Sequence, residues 1–428
     1  MKLFRVIWLL PLIMVVLSVA DARANSEDVP KFFRIPVFYA TDRNRIATKG
    51  RDAGEVVFGN ERKYRGECKH DLFLGVAYCN IRNTEGKSFS DEMKKLGWTL
   101  PRKGGEGPDG TELIEAPSYK EATATFFDRV YDKAVITADA EVFMFIPGYM
   151  STFDSGLRSA ARFVYYSERP MILYSWPSKG KFTEYFSDEA TIEWSQGHFN
   201  DILNSVSLLA YRTPAVHSRV YAHSMGGRLV MHATPYLKNS KSVRELTVIC
   251  PDVDDGVVKH FAANYFDSKS DMLVRLYISK RDYMLKLSQF VHGGYGRLGE
   301  DTQPLDTVLP KNARRTVADA PVKSECPEGL NRRLLTVDFT QVDAGTLGHR
   351  IPVEVLAGLS QQGSPGGKLK LSLVTLKSKG DQDADTTETD DGVVRICKPG
   401  WRGTPILGTI YRYRPRLKLL RTKDWSLQ

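Results

Sequence analysis

The chain has 428 residues, of which 42% are hydrophobic and 26% are charged. This composition excludes wholesale disorder and supplies enough apolar residues for one large or two modest globular domains. The formal net charge of +9 is modest for this length, so it does not indicate a nucleic-acid-binding protein.

The first 24 residues have the order of a cleavable secretion signal. Lys2 and Arg5 precede an apolar run over 6–17, and Ala22 and Ala24 supply the small residues before a cleavage point. The run is shorter than the ~20 residues of a spanning helix, so we expect no membrane span after the signal is removed. The sequence therefore predicts export, either to the bacterial periplasm or out of the cell.

Strand-like runs alternate with helical patterns along the rest of the chain. The runs that we predict as strands are Phe33–Ala40, Leu72–Ile81, Val142–Ile146, Met171–Tyr174, Arg219–Ala222, Leu246–Cys250, Leu273–Ile278 and Leu334–Phe339. Helical spacing predicts helices over 153–166, 189–211 and 225–237. This alternation indicates an α/β fold with a mostly parallel central sheet and helices on both faces. Functional groups of such a sheet gather at the carboxyl ends of the strands.

Residues 222–226, Ala-His-Ser-Met-Gly, have the pattern of a nucleophile elbow between a strand and a helix. The turn holds its serine in a sparsely populated backbone conformation, so the residues two before and two after it must be small. Ala222 and Gly226 meet that condition. The pattern predicts Ser224 as a nucleophile.

A serine hydroxyl needs an imidazole to accept its proton and a carboxylate to orient that imidazole. In sheets of this type the chain order is serine, acid, histidine. Asp282 follows the strand predicted over 273–278, and His349 follows the last of the eight predicted strands. We therefore predict a catalytic triad of Ser224, Asp282 and His349.

Other residues compete for these roles. Asp252 also ends a strand and is the alternative acid, with helix capping as its structural role. His260 and His292 follow the serine but lie within or at the end of helices, where packing or capping roles dominate. His223 is expected to point away into the flank of the sheet.

Acyl transfer also requires backbone donors for the developing oxyanion. The amide of Met225 is the first predicted donor. The second is the amide of Tyr149 or Met150, in the loop that follows a strand and turns at Gly148. An ordinary connection between a strand and a helix is the alternative interpretation of this loop.

Three aromatic residues, Phe182, Tyr185 and Phe186, follow the end of a strand and are predicted to form an apolar wall for an acyl group. Core packing under a loop is an equal alternative. The long segment 293–331 is interpreted as a lid or as an unstructured loop.

Export implies an oxidising compartment in which cysteines pair. Cys68 with Cys79 and Cys326 with Cys397 are candidate pairs, and the connectivity stays open. Cys250 lies in an apolar run and is interpreted as a small buried residue. The cysteines and the eight histidines show no metal-ligand spacing, so neither a metal nor a cofactor is predicted.

The C-terminal run over 411–423 alternates basic residues with tyrosine and leucine. This alternation of every second residue predicts a strand with one basic face. The basic face is interpreted either as solvated or as a contact with an anionic envelope surface. The acidic stretch 380–392 is interpreted as a solvated loop, because Thr386 stands where a calcium loop needs glycine.

Six short stretches are together specific for one protein family. They are Val37–Asn44, Pro147–Tyr149, Tyr174–Ser178, Ala222–Gly226, Pro251–Asp254 and His292–Gly294. Through them the chain resembles a family of bacterial alpha/beta hydrolases of unknown function, esterase/lipase-like proteins with this type of elbow. The resemblance implies the alpha/beta-hydrolase fold, the triad of Ser224, Asp282 and His349, and hydrolase chemistry, but no substrate. Pro147 stands where the family usually has histidine, which removes a side-chain donor and keeps the turn.

With this resemblance we predict four regions of the chain. They are a signal peptide (1–24), N-terminal strands and a linker that join the hydrolase sheet (25–130), the alpha/beta-hydrolase catalytic core (131–362) and a small C-terminal extension (363–428). The leading hypothesis is an exported serine hydrolase that cleaves ester or related acyl bonds of a small-molecule or lipid-like substrate. The alternative is a catalytically silent protein of the same fold that binds anionic envelope components through its basic C-terminus.

Overall fold

The structure is a computed structural model. It describes residues 29–46, 56–62, 72–102, 104–137, 139–209, 216–233, 236–237, 240, 242–254, 256–257, 272–299, 334–340, 348–350, 353, 356–357, 393–397 and 426–427. The secretion signal, most of segment 293–331, the acidic stretch and the basic C-terminal run lie outside the described residues, as do His260, Cys68 and Cys326.

The described residues form strands and helices in alternation. The strands are β1 (Phe32–Thr41), β2 (Arg43–Ile46), β3 (Val57–Arg62), β4 (Phe73–Arg82), β5 (Gly107–Leu113), β6 (Glu141–Ile146), β7 (Met171–Ser175), β8 (His217–His223), β9 (Val243–Ile249), β10 (Leu273–Ile278), β11 (Leu334–Asp338), β12 (Val393–Cys397) and β13 (Ser426–Leu427). The helices are α1 (Asp91–Lys95), α2 (Tyr119–Ala134), α3 (Phe153–Ser167), α4 (Tyr185–Ser207), α5 (Gly226–His232) and α6 (Tyr283–Val291), with a 3₁₀ turn over Phe182–Glu184 before α4.

Within the described residues, eleven strands form one sheet in the order β13-β12-β11-β10-β9-β8-β6-β7-β1-β4-β5. Eight consecutive strands of this sheet run parallel, in the order β1, β7, β6, β8, β9, β10, β11 and β12. The β1–β4, β4–β5 and β12–β13 pairs at the two edges are antiparallel. The predicted α/β class with a mostly parallel sheet is therefore confirmed.

Helices cover both faces of this sheet, and the side chains of each strand alternate between two buried clusters. In β8, Val220 and Ala222 pack into the cluster that contains residues of α2, α4 and α5. Tyr221 points to the other face and packs into the cluster that contains residues of α3. Because both faces are buried, the strands are rich in apolar residues on both faces, and the charged residues within them, Arg219, Glu245 and Arg275, are buried and ion-paired.

All eight runs predicted as strands form strands, namely β1, β4 and β6 to β11. The helix after the elbow is shorter than predicted and ends at His232, before Pro235. Among the described residues, no helix combines the length and apolar character needed to cross a bilayer.

Candidate active site

Ser224 occupies the sharp turn between β8 and α5. Its φ of 52° lies in the left-handed region, which costs a residue other than glycine about 1–2 kcal/mol. The Ser224 amide donates to the Ile249 carbonyl at 2.8 Å, and its carbonyl accepts from the Gly227 amide at 2.9 Å. These bonds anchor the turn to β9 and to the start of α5, so the strained conformation is held in place.

Two glycines allow the chain to pack closely around this turn. A Cβ atom at Gly226 would lie 2.6 Å from the Pro147 carbonyl oxygen, and one at Gly148 would lie 2.7 Å from the Ser224 Cβ. Real Cβ atoms do not approach neighbours so closely. The loop after β6 is therefore packed directly against the elbow, and Pro147 is fixed there because its carbonyl accepts a hydrogen bond from the Trp176 indole at 2.8 Å.

His349 and Asp282 form a hydrogen-bonded pair. The distance from His349 Nδ1 to Asp282 Oδ2 is 2.6 Å. Asp282 is fully buried, and its Oδ1 accepts from the Leu285 amide at 2.9 Å as the N-cap of α6. An ionised carboxylate only accepts hydrogen bonds, so Nδ1 carries the hydrogen and Nε2 is left with a free lone pair.

His223, the residue before the serine, holds the backbone of His349. Its Nε2 donates to the His349 carbonyl at 2.9 Å, and the two ring centroids are 4.9 Å apart. The expectation that His223 points away into the sheet flank is therefore wrong. Among the described residues no hydrogen bond directly joins the Ser224 hydroxyl to His349, which is a common state of catalytic pairs without substrate.

The pKa of His223 is lowered to about 3, first by burial and then by the nearby His349. The neutral ring is the form that packs here, whereas an unfolded histidine titrates near 6.5. We expect the stabilisation from His223 to be complete above pH 6.5 and to be lost as the pH falls toward 3, because the unfolded chain binds the extra proton.

This pH dependence can be measured by denaturant unfolding between pH 7 and pH 5. If the unfolded chain binds one proton more than the folded protein, the free energy of unfolding changes by up to about 1.4 kcal/mol per pH unit. A His223→Gln variant keeps a donor but does not titrate, so its slope should be smaller than that of the wild type. Equal slopes would contradict the assignment.

Two buried charged residues hold the loop after β6 in place. Arg43 is fully buried and donates to the Ser151 carbonyl at 2.6 Å and to the Ser178 carbonyl at 3.1 Å. Asp188 accepts from the Ser178 hydroxyl at 2.5 Å and from the Lys179 amide at 2.7 Å. Burial lowers the pKa of Arg43 to about 10 and raises the pKa of Asp188.

The Met150 amide lies near Asp188 and lowers the pKa of that carboxyl, against the larger opposing effect of burial. Met225 is fully buried, and no hydrogen bond from its amide or from that of Tyr149 is found within the described part of the chain. A buried amide without a partner is rare in folded proteins, so the Met225 amide is a candidate for binding a ligand atom, and the amide of the partly buried Tyr149 is a second candidate.

The backbone of the alternative acid, Asp252, is bonded to the elbow through its amide and the Ser224 carbonyl at 3.2 Å, but its carboxylate has partners other than His349. Its Oδ1 accepts from the Ser288 hydroxyl at 2.6 Å, and its Oδ2 accepts from the Tyr185 hydroxyl. Arg228 and Arg297 lie 3.6 Å from its carboxylate. Asp252 is therefore the centre of a buried polar network behind the elbow.

The remaining candidate base, His292, is also engaged elsewhere. Its Nε2 lies 2.9 Å from Glu189 Oε1, and its Nδ1 lies 2.7 Å from the Ser288 carbonyl oxygen. It caps the end of α6, as predicted from its position. The structure therefore pairs His349 with Asp282 and pairs His292 with Glu189.

The three aromatic residues of the predicted substrate wall separate into two environments. Phe182 and Phe186 are more than half exposed. Tyr185 is partly buried and belongs to the Asp252 network through its hydroxyl. Its ring packs against that of Tyr149, with 5.3 Å between the centroids.

Three cysteines are among the described residues, and Cys397 ends β12. Cys79 is a buried thiol without a disulfide bond, so its pairing with Cys68 is wrong, and burial raises its pKa to about 12. Cys250 is fully buried, as predicted. Its Sγ, one oxygen of Asp282 and one nitrogen of His349 lie within 4.8 Å of one another and could hold a metal ion, an arrangement that spacing along the chain did not indicate.

This sheet, with a strained serine after β8 and a carboxylate–histidine pair beside it, is the arrangement of an alpha/beta hydrolase. Residues 122–351 match the family described as alpha/beta hydrolase of unknown function (DUF900). Because the match covers more than half of the chain, the protein belongs to this family, and the predicted resemblance is confirmed.

Two further comparisons add little to the family match. No curated protein matches the chain. Among solved structures the chain is similar to the phospholipase PlaB from Legionella pneumophila in complex with thio-NAD, with 12% sequence identity and a TM-score of 0.23. The match covers 47% of this chain and 38% of the phospholipase chain, and a likeness of this size carries no argument about substrate.

Proposed function

We propose that this alpha/beta hydrolase is an exported serine hydrolase that cleaves ester or related acyl bonds. The observation that carries the proposal is the 2.6 Å bond between His349 Nδ1 and the buried Asp282 carboxylate, beside a serine held at a φ of 52°. A buried carboxylate that orients an imidazole near a strained serine has the features needed to activate that serine.

In the proposed reaction the Ser224 oxygen attacks the acyl carbonyl carbon and its proton passes to His349 Nε2. The carbonyl oxygen becomes an oxyanion that accepts from the amides of Met225 and Tyr149. Collapse of this intermediate breaks the bond to the alcohol, which leaves with the proton from His349. Water then attacks the acyl-enzyme by the same steps in reverse order, which releases the acid and restores the serine.

Asp282 acts on the imidazole and not on the substrate. It keeps Nδ1 protonated, so Nε2 faces the serine, and its negative charge stabilises the imidazolium that forms during attack. Its N-cap bond to α6 holds the carboxylate in one orientation. No cofactor or metal takes part in this proposal.

Export and the envelope location are part of the proposal and are supported by the sequence alone. The charged, apolar and small residues of 1–24 support a cleavable signal, and the basic run over 411–423 supports contact with an anionic envelope surface. The Asp282–His349 pair favours the enzyme over a catalytically silent binding protein, which would not need that bond.

A fluorophosphonate probe tests the nucleophile. We expect the native protein to gain one covalent adduct on the peptide that contains Ser224, detected by mass spectrometry, because only an activated serine attacks such a probe. A Ser224→Ala variant should gain none. A Ser205→Ala variant, altered at a partly exposed serine of α4, should be labelled like the wild type.

Two outcomes would count against the proposal. One is a correctly folded wild-type protein that stays unlabelled. The other is labelling of Ser224→Ala at the wild-type rate, because the probe would then report a different serine.

A further inference from the structure

Helix α6 exposes a stripe of large apolar side chains. Tyr283, Leu287, Phe290 and Val291 are 56%, 43%, 81% and 40% exposed. Their positions i, i+4, i+7 and i+8 place them on one face of the helix. The opposite face is buried through Leu285 and Ser288, so the apolar stripe is not the face by which this helix packs on the protein.

The stripe continues onto the start of α4. The Tyr185 hydroxyl lies 2.9 Å from the Ser288 hydroxyl oxygen and joins the two helices. The Phe186 ring centroid is 6.5 Å from that of His292 at the end of α6. Phe182 and Phe186 are 55% and 62% exposed. We call the exposed set Phe182, Phe186, Tyr283, Leu287, Phe290 and Val291 the apolar rim.

The apolar rim borders the candidate active site at two points. Helix α6 begins directly after Asp282, its N-cap. The Tyr149 hydroxyl donates to the Phe182 carbonyl, which connects the rim to the loop that carries a candidate oxyanion donor. The rim therefore adjoins the elements that position Asp282 and the Tyr149 amide.

Most of the exposed charges around the rim are positive. Lys181 precedes Phe182, and Lys280 and Lys286 precede and lie within α6. The segment 283–297 contains no aspartate or glutamate. Glu189 on α4 is ion-paired with Arg228 and hydrogen-bonded to His292, which leaves Glu184 as a partly exposed carboxylate against the three lysines. The rim is thus an apolar surface with a positive border.

We propose that the apolar rim docks the protein on an anionic phospholipid surface and that the substrate is an acyl lipid within that surface. Apolar side chains enter the boundary between headgroups and acyl chains, and lysines are attracted to anionic headgroups. A dimer joined through the rim would instead bring the positively charged lysines of the two copies close together, and these would repel each other. The substrate part of this inference rests on the proposed function, whereas the docking part does not.

The test is cosedimentation of the full chain with vesicles of phosphatidylglycerol and phosphatidylcholine, compared with vesicles of phosphatidylcholine alone. We expect binding to the anionic vesicles, and the double variant Leu287→Ser/Phe290→Ser should bind about tenfold or more weakly. Lys286→Glu should weaken binding to anionic vesicles by about fivefold or more, and added salt should reduce this difference.

Leu208→Ser is the matched control. Leu208 is 50% exposed but lies at the far end of α4, about 35 Å along the helix axis from the rim, so its variant should bind like the wild type. Every variant keeps the same termini, so a difference between them reports on the rim and not on the N-terminal apolar run or the basic C-terminus.

Fluorophosphonate labelling without vesicles separates this inference from the proposed function. The double variant should label at the wild-type rate and hydrolyse a water-soluble short ester normally, but lose at least about tenfold in hydrolysis of an acyl ester embedded in vesicles. Equal vesicle binding by wild type and double variant, or a dimer that the double variant abolishes without vesicle binding, would overturn docking. Absence of Ser224 labelling with rim-dependent vesicle binding would overturn the proposed function and leave docking standing.

Discussion

Asp282→Asn is expected to lower kcat by about 10⁴-fold without loss of the fold. Asparagine can still cap α6, because its side-chain oxygen can accept from the Leu285 amide as Asp282 does. However, it removes the negative charge beside His349 Nδ1 and can donate to that nitrogen instead of accepting from it. The histidine is then held in the wrong tautomer, and the imidazolium that forms during attack loses its counterion.

Asp252→Asn provides the matched comparison, because Asp252 is the other acid that ends a neighbouring strand. We expect its kcat to stay within about tenfold of the wild type, while the free energy of unfolding falls by a few kcal/mol, since Arg228 and Arg297 lose a buried partner. The measurements are steady-state hydrolysis of a soluble ester and denaturant unfolding of both variants. The reverse pattern, with the large loss of kcat at Asp252, would contradict the assignment of Asp282.

The strands of the central sheet were predictable because each is buried on both faces. Runs such as 273–278 contain consecutive apolar residues and β-branched residues, and they form β10 with the predicted bounds. Strand β5 was missed because Gly107–Leu113 contains glycines, a proline and acidic residues at an edge of the sheet. An edge strand needs fewer apolar residues, so local composition does not identify it.

The elbow was predictable from five adjacent residues, since the small residues that it requires leave a local pattern. The partners Asp282 and His349 were predictable only from their order after strands, a rule that holds because parallel strands end at one edge of the sheet. The structure brings these two together at 2.6 Å and places the competing Asp252 in a separate network.

The position of His223 could not be predicted from the sequence. A histidine beside the serine has no local pattern that shows where its ring points, and its partner is the carbonyl of a residue 126 positions later in the chain. The roles of Arg43 and Asp188 were missed for the same reason. Their hydrogen bonds reach loops after β6 and β7, and contacts between distant segments leave no periodic signal.

The choice between Tyr149 and Met150 as oxyanion donor was likewise open in the sequence. Both amides follow Gly148 in the same loop, and residue type does not determine which amide points toward the serine. The Met150 amide lies near the buried Asp188 carboxylate and opposes the rise in its pKa that burial causes, so we propose the Tyr149 amide as the donor.

Gly148→Ala is expected to reduce kcat by about 10²- to 10³-fold, the loss typical of removing one oxyanion donor. The new Cβ would lie 2.7 Å from the Ser224 Cβ and 2.9 Å from His223 Nδ1. The backbone φ of Gly148 is not in the left-handed region, so the effect comes from this contact and not from the conformation of alanine. The loop must move away from the elbow, and the Tyr149 amide moves with it.

The control is Gly197→Ala in α4, where a new Cβ would meet no atom within 4 Å. This variant should keep the wild-type kcat and gain about 0.5–1 kcal/mol of stability, since alanine favours the helix over glycine. For Gly148→Ala, the rate of fluorophosphonate labelling should fall together with kcat while thermal unfolding shows a folded protein. If both rates stayed at wild-type values, a shift of the loop away from the elbow would have no effect on catalysis. The Tyr149 amide could then not be the oxyanion donor.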